Sequence, residues 1–538
     1  MNPQTSNPSL ETQAAQKSAG RKAAAVAVAS GILLSRIFGL VRDKVFAHYL
    51  GTSDAADAFR AAFRIPNFLQ NLFGEGVLSA SFIPVYARLN AEGRREEASK
   101  LAEAIFALLF LVASAVVVVG ILTTPWLISA IAPGFEGEKR LLTIRLVRIL
   151  FPGAALLVFS AWCLGILNSH RRFLLSYTAP VLWNIAIIAA LLWQGARQSN
   201  TQLAETVAWA SVVGSAFQFL VQLPTVLRFL GALRLHGSLS TEHTRTVVRN
   251  FGPVFISRGV VQISAFIDSL LGSLLPTGAV AALAYAQTLY SLPVSLFGMS
   301  VSAAELPEMS STLGTREEIA ASLRQRLARG LEQIAFFVVP SAVAFALLGD
   351  VVVATIYLSG EFGARDVPYV WAVLAGYALA LLPSTSGRLY SSAFYALRDT
   401  RTPLRFAVIR VGLTLALGAF FALAVPRMVG IDRRWGVAGL ALASGWAGWI
   451  EYALLRRALH HRIGAAHYSK GRLRKLWLAA ILAAAAAYGI KLVLPLHNPV
   501  LIGASVLVPY GLLYFGITHL LGVSSLGVLT RVFGRRRA

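Results

Sequence analysis

The chain has 538 residues, of which 56% are hydrophobic and only 14% charged, and its mean hydropathy is +0.64. Soluble domains contain about a quarter charged residues, so this composition excludes a soluble globular protein. The formal net charge of +24 would also suit nucleic-acid binding, but the basic residues are placed where a membrane protein carries them.

Apolar stretches follow one another along the chain, and most are near the length of about 20 residues that crosses a bilayer as a helix. Strands of a membrane barrel need only about 9–11 alternating residues, so these runs predict helices. Residues 1–22 are polar and are predicted to form a disordered cytoplasmic tail without a signal-peptide cleavage site. We predict an all-α polytopic membrane protein with about 14 transmembrane helices, at 23–48, 57–88, 101–132, 141–168, 174–195, 202–230, 249–275, 279–306, 330–358, 367–395, 403–425, 435–458, 474–495 and 499–522.

Lysine and arginine are distributed unevenly between the two sides of this predicted topology. The loops on the N-terminal side hold roughly 32 of them and the opposite loops roughly 8. Cytoplasmic loops carry such an excess, so both termini are predicted to be cytoplasmic. The basic surplus is therefore explained by topology and by contact with anionic membrane lipids, and we expect no nucleic-acid partner.

The longest predicted loops, 231–248 and 307–329, are polar, and the first separates six helices from the rest. A weak internal repeat links the halves, because Ser35-Arg36 in helix 1 has a counterpart in Ser257-Arg258 of helix 7. Transporters with two lobes are commonly built from such repeats, with the substrate site between them. We predict two six-helix lobes around a central cavity, with an N-lobe over 23–230, a C-lobe over 249–460, a terminal helix pair over 474–522 and a basic cytoplasmic tail over 523–538.

Charged residues are concentrated in the first two predicted helices. In helix 1, Arg36 and Asp43 share a face, whereas Arg42 points elsewhere but could swing toward the edge of the same cavity. In helix 2, Arg60 and Arg64 lie one turn apart, on the stripe that begins at Asp57. Each charge is costly at bilayer depth unless it faces a protein interior or a watery cavity.

Two interpretations of these charges remain open. Internal ion pairs, for example between Asp43 and Arg64, would only lock the helices together. A cavity that holds an anion is favoured because the basic side chains outnumber the acidic ones. The predicted substrate-binding residues in this region are Arg36, Arg42, Asp43, Asp57, Arg60 and Arg64.

Proline and glycine interrupt helix 2 at Pro66, Gly74, Gly76 and Pro84. Proline removes an internal hydrogen bond and kinks a helix, and a broken helix can gate a cavity. A kink without a gating role is an equally good interpretation.

Helix 7 adds Arg258 to the candidate substrate-binding residues. Asp268 in the same helix has three possible partners: Arg258, Arg410 of helix 11, or a coupling cation. A cation site needs several oxygen ligands, and residues 403–425 contain no Asp, Asn, Glu or Gln, so ion pairing is favoured.

The sequence contains no arrangement typical of catalysis or metal binding. Cys163 is the only cysteine and lies in an apolar run, where a small core residue is the simplest interpretation. No Ser/His/Asp set, phosphate-binding glycine loop or HExxH motif is present. We therefore expect a transporter rather than an enzyme, with no cofactor and no metal.

Several sequence blocks resemble the lipid II flippases of the MurJ (MviN) family. These blocks are Ser35 to Asp43, Asp57 to Phe59, Arg64 to Asn67, Phe73 to Gly76 continuing through Ser79, Phe82 and Pro84, Ala132 to Phe135, Gly165 to Ser169, Ala179-Pro180 with Asn184, and Ala393 to Pro403. The resemblance covers about residues 25–525.

The resemblance implies a branch of the multidrug/oligosaccharidyl-lipid/polysaccharide exporters with 14 helices. Such proteins move the undecaprenyl-pyrophosphate-linked peptidoglycan precursor across the bacterial inner membrane, to its periplasmic leaflet. A cationic cavity would hold the head group, and a groove at helices 13–14 would guide the lipid tail. By resemblance, Arg36, Arg42, Asp43, Asp57 and Arg64 fall on functional positions, and Pro66, Gly74, Glu75 and Gly76 form the candidate gate. We expect lipid II and membrane lipids as partners, and a monomer.

Two departures from the family pattern bear on the cargo. Gln70 stands where family members usually have Arg, and Gln287-Thr288 stands where they usually have Asp-Arg. Arg60 and Arg258 are present where the family is often apolar, and either could restore the lost charge. The alternatives are an exporter of another polyprenyl-linked oligosaccharide or of a drug, a non-transporting scaffold for cell-wall enzymes, and an integral membrane transferase. Drug exporters usually bind cations in acidic cavities, so the surplus of arginine disfavours that function. A transferase would need an acidic residue or a histidine at the membrane face, and the sequence offers no candidate for it.

Overall fold

A computed structural model describes residues 30–78, 81–231, 242–310, 315–465, 468–494 and 497–523. Every regular element in these residues is helical, and a lone antiparallel bridge pairs Ser359 with Phe362. The predicted all-α fold class is confirmed. The N-terminal tail at 1–22 and nearly all of the predicted C-terminal tail at 523–538 lie outside the described residues.

The helices of the first half begin with α1 at residues 30–50 and α2 at Asp54–Leu69. A π-helix at Gln70–Leu78 follows α2 directly. The helices after it are α3 Ile83–Ala91, α4 Arg95–Ile131, α5 Gly137–Ser169, α6 Phe173–Gln194, α7 Asn200–Leu230 and α8 Glu242–Ser273.

The second half contains α9 Ala279–Pro293, α10 Ser300–Ser310, α11 Arg316–Leu347, α12 Gly349–Tyr357, α13 Asp366–Ala396, α14 Arg401–Ala419, α15 Val425–Val429, α16 Gly436–Ile463, α17 Lys470–Val493 and α18 Pro499–Leu520. Short π-helices at Val294–Met299 and Phe420–Ala424 continue α9 and α14, and a 3₁₀ turn occupies Arg433–Trp435.

Each predicted transmembrane segment overlaps helical residues. Among the described residues, ten helices are long and apolar enough to cross a membrane. The count of 14 membrane-spanning helices stays a prediction.

The predicted loop at 307–329 is wrong, because its polar residues are largely helical. Helix α11 already begins at Arg316, and Thr315 caps it: the Thr315 hydroxyl accepts from the Glu318 amide at 3.3 Å, and the Glu318 carboxylate accepts from the Thr315 amide at 2.8 Å. This reciprocal cap satisfies free N–H groups at the helix start, so the helix extends well beyond the apolar run.

The contacts within the chain define two compact units. The first comprises the described residues up to Tyr49, with Ala58–Ala130 and Glu136–Ile263; the second comprises Leu50–Asp57, Ile131–Phe135 and the residues from Ser264 onward. This division falls between Ile263 and Ser264, within α8, whereas the sequence predicted a boundary in the loop at 231–248. The two six-helix lobes stay a prediction.

The core of the first unit is aromatic. Trp162 is fully buried, its ring lies 4.9 Å from that of Phe106, and its indole N–H donates to the Ala102 carbonyl at 3.2 Å. Cys163 is also fully buried in this core, which agrees with a small packed residue.

In the second unit, the terminal helices α17 and α18 are bound to α11 and α12 along their length. The hydroxyls of Tyr510 and Tyr514 donate to α11 carbonyls, each at 2.7 Å. Ion pairs join α17 to α11 and α12 at its two ends: Arg472 with Glu332, and Lys491 with Asp350.

Candidate substrate-binding site

Three of the predicted charged residues come together inside the first unit. Asp43 on α1 is almost fully buried, and its Oδ1 accepts from Arg42 Nε at 3.1 Å and from Arg42 Nη2 at 2.9 Å. The same oxygen accepts from Arg60 Nη1 on α2 at 3.2 Å. Two guanidinium groups therefore share one carboxylate, and the three side chains together carry one net positive charge.

The Arg42 guanidinium is also held from α6. Its Nη1 donates to Asn184 Oδ1 at 3.2 Å, and its Cζ lies 5.0 Å from the centre of the Trp183 ring. Trp183 is itself fixed, because its indole N–H donates to both the carbonyl and the hydroxyl of Ser211 at 3.1 Å. A cation held on several sides needs little reordering when it binds an anion.

Helix α6 holds the Asn184 amide through a backbone carbonyl one turn earlier. Pro180 lies inside α6, and its carbonyl accepts from Asn184 Nδ2 at 3.0 Å. That bond fixes the amide so that its oxygen faces Arg42. In the sequence, Asn184 stands out only as part of a family block, and nothing marks Trp183 or Phe63, whose rings lie beside the Arg42 guanidinium.

Asp57 lies in the second unit and has a different environment. Its Oδ2 accepts from the Gly278 amide at 2.8 Å and its Oδ1 from the Ala281 amide at 2.7 Å, at the start of α9. Asp57 is buried, and both oxygens bind backbone N–H groups of a helix N-terminus, where negative charge is stabilising. This geometry favours a capping role, while its assignment to substrate binding stays a prediction.

The remaining candidates differ in burial. Arg36 is exposed on α1, and Arg64 is half-buried one turn beyond Arg60 on α2. Arg258 lies in α8, but its side chain is outside the described residues. Their roles in binding stay predictions.

The predicted interruption of helix 2 is present. Pro66 is buried near the end of α2, and the chain then changes to the π-helix that contains Gly74, Glu75 and Gly76. A π-helix is a locally weakened helix that often occurs at functional sites. The gating role of these four residues stays a prediction, and the side chain of Glu75 is outside the described residues.

The second unit contains an apolar pocket of about 330 Å³. Its walls are α9 with the π-helix that follows it, α11 and α18. They include Pro293, Phe297, Phe337, Pro340, Tyr510 and Tyr514. Within the described residues, no group of three or more His, Cys, Asp or Glu side chains is arranged to hold a metal ion.

Comparison with known proteins identifies the family. The family model described as lipid II flippase MurJ matches residues 46–503. The chain belongs to the lipid II flippase MurJ family. Membership makes it a multi-pass membrane transporter rather than an enzyme, as the sequence predicted.

Two curated relatives illustrate the extent of the match. A probable lipid II flippase MurJ of Rhizobium tropici is 31% identical over 538 residues, covering 95% of this chain and 96% of the relative. The lipid II flippase MurJ of Burkholderia cenocepacia is 31% identical over 459 residues, covering 84% of this chain and 86% of the relative.

Solved structures show the same fold. A lipid II flippase MurJ in an inward closed conformation has a TM-score of 0.76 at 24% identity and covers 92% of this chain and 98% of its own. An inward-facing transporter of the multidrug resistance MATE family has a TM-score of 0.63 at 17% identity, covering 82% of this chain and 100% of its own. Both matches agree with the all-helical fold.

Proposed function

We propose that this protein moves lipid II, the undecaprenyl-pyrophosphate-linked peptidoglycan precursor, from the inner to the outer leaflet of the bacterial inner membrane by alternating access. Family membership over most of the chain supports this activity. The observation in the structure that carries the proposal is the Asp43 cluster, in which two arginines outnumber one carboxylate within a membrane protein. Such a cluster attracts an anion of the charge type that a pyrophosphate provides.

The apolar pocket in the second unit supports the lipid part of the proposal. Its lining is almost entirely carbon, with two tyrosines on α18 that already donate to backbone carbonyls. A polyprenyl tail would bury apolar surface there without leaving a polar group unpaired. We therefore assign the tail of the substrate to the face of α18 that lines this pocket.

Complementation tests the activity. A bacterium depleted of its own lipid II flippase should regain growth and shape when this chain is expressed, and it should not regain them with the Arg42→Ala variant. A lost charge-assisted contact to phosphate costs about 2–5 kcal/mol in a desolvated site, which is enough to stop transport. Normal membrane levels of the variant, measured by immunoblotting, are the control. Failure of the unaltered chain to rescue would contradict the proposal.

A second cargo remains a candidate because the chain departs from the family pattern at two places. Gln70 is half-buried at a position where the resemblance leads us to expect arginine, and Gln287 (exposed) with Thr288 (half-buried) on α9 stand where it leads us to expect Asp-Arg. Reconstituted protein should therefore be compared on lipid II and on another undecaprenyl-pyrophosphate-linked oligosaccharide. Faster flipping of the second lipid, together with failed complementation, would favour the exporter of a different oligosaccharide.

A further inference from the structure

Arg60 is the residue of the Asp43 cluster whose role the family resemblance does not explain. It lies on α2, and its Nη1 donates to the same Asp43 oxygen that receives two bonds from Arg42. Its Cζ also lies 4.4 Å from the centre of the Phe46 ring. A guanidinium on an aromatic face and a carboxylate is fixed by its surroundings.

The two arginines differ in access. The side chain of Arg60 is 9% exposed, that of Arg42 is 18% exposed, and that of Asp43 is 2% exposed. Arg42 is thus the cation that a ligand reaches more readily, and Arg60 is the more enclosed of the two.

The charges explain why a second arginine matters. An isolated pair of Arg42 with Asp43 would be neutral, and a neutral pair attracts a phosphate only weakly. Arg60 supplies a second positive charge to the same carboxylate oxygen, so the group keeps one net positive charge while Asp43 still orients Arg42. A buried carboxylate also costs less free energy when its charge is compensated.

We propose that Arg60 is a positioning residue that offsets the charge of Asp43, so that Arg42 keeps its charge for the diphosphate head group of the substrate. The inference rests on the proposed function. It assigns Arg60 to the binding reaction through Asp43 and Arg42, without a contact between Arg60 and the lipid.

Binding to purified full-length protein in nanodiscs tests the role. The probes are undecaprenyl diphosphate and undecaprenol, which share a tail and differ in the charged group. Arg60→Gln keeps hydrogen-bond donors near Asp43 and removes the charge, and Arg60→Met removes both. Each should weaken diphosphate binding about tenfold, equivalent to about 1.4 kcal/mol, and leave undecaprenol binding unchanged. Arg60→Lys should stay within about threefold of the unaltered protein.

Two further variants separate charge from structure. Asp43→Asn combined with Arg60→Gln returns the group to one net positive charge, and it should recover most of the diphosphate affinity lost in Arg60→Gln. Arg145→Met is the matched control, since Arg145 forms an ordinary ion pair with Glu205 at 3.4 Å in the same unit. It should not change binding of either lipid.

The outcomes are distinct. Unchanged diphosphate binding in both Arg60→Gln and Arg60→Met, or a double variant no better than Arg60→Gln, would overturn the charge role. Equal loss of both lipids, with a lowered Tm, would show that Arg60 only supports the fold. If the unaltered protein does not prefer the diphosphate over undecaprenol, the proposed function itself fails.

Discussion

A single aspartate caps the connection between α13 and α14, which the sequence predicts to be cytoplasmic. Asp399 follows α13, and its Oδ1 accepts from the amides of Arg401 and Thr402 at 3.0 Å, while its Oδ2 lies 2.6 Å from Arg462 Nη2. The residue before it, Arg398, has a positive φ of 59°, which ends α13. The Asp-Thr-Arg-Thr-Pro block of the sequence is therefore a cap that stops one helix and starts the next.

We expect Asp399→Asn to destabilise the protein in a pH-dependent way. Hydrogen bonds from the side chain and backbone of Thr402, with the Arg462 charge, lower the pKa of Asp399 from 3.8 to about 2. A carboxyl group with a lowered pKa stabilises the fold above its unfolded pKa and loses this effect as the pH falls toward its folded pKa. Thermal unfolding in detergent should show a Tm deficit in the variant at pH 7 that shrinks between pH 4 and pH 2. A deficit independent of pH would contradict this charge effect.

At the scale of the helices, a side chain of one helix can satisfy a backbone group that another helix leaves without a hydrogen bond. Pro340 lies inside α11, has no N–H, and leaves the Phe336 carbonyl four residues earlier without its helical donor. The Tyr514 hydroxyl of α18 donates to that carbonyl at 2.7 Å. Apolar periodicity predicts both helices but does not show this bond, because nothing in the sequence around Tyr514 points to a proline so distant in the chain.

Tyr514→Phe should therefore lower the free energy of unfolding by about 1–2 kcal/mol, since it leaves a buried carbonyl unsatisfied. Tyr488→Phe on α17 is the control, because Tyr488 is 44% exposed. The two variants should be compared by thermal unfolding in the same detergent. An equal effect of both changes would show that the bond to Phe336 adds no stability.

Asp57→Ala should cost about 2 kcal/mol of stability, because the buried amides of Gly278 and Ala281 would lose their acceptor at the start of α9. Asp54→Ala is the comparison, since Asp54 is exposed and accepts from the Thr277 hydroxyl. Tm and transport should fall together in Asp57→Ala and change little in Asp54→Ala. Loss of transport at an unchanged Tm would instead support the predicted substrate-binding role of Asp57.

For the whole molecule, composition predicts the fold class well. The side-chain contacts of the candidate site, in contrast, are visible only in the three-dimensional structure. Long apolar runs predict helices because a bilayer accepts few other structures, and the helices found overlap each run. Charge counting also identified Arg42, Asp43 and Arg60, but the ion pair suggested from the sequence joined Asp43 to Arg64, and the bond from Arg60 to Asp43 was not predicted. Which residue on a stripe meets another helix depends on packing, and a one-residue rotation changes it.

The charge asymmetry of the loops gives a testable topology for the whole chain. Cys163 is the only cysteine and is fully buried, so a thiol reagent should not label the unaltered protein. In the Cys163→Ala background, Ala538→Cys places a thiol at the C-terminus, and Gln198→Cys places one in the loop between α6 and α7. Basic residues are retained on the cytoplasmic side during insertion, so a membrane-impermeant maleimide added to intact cells should label position 198 and not position 538. Inverted vesicles should show the reverse, and labelling of position 538 in intact cells would refute cytoplasmic termini.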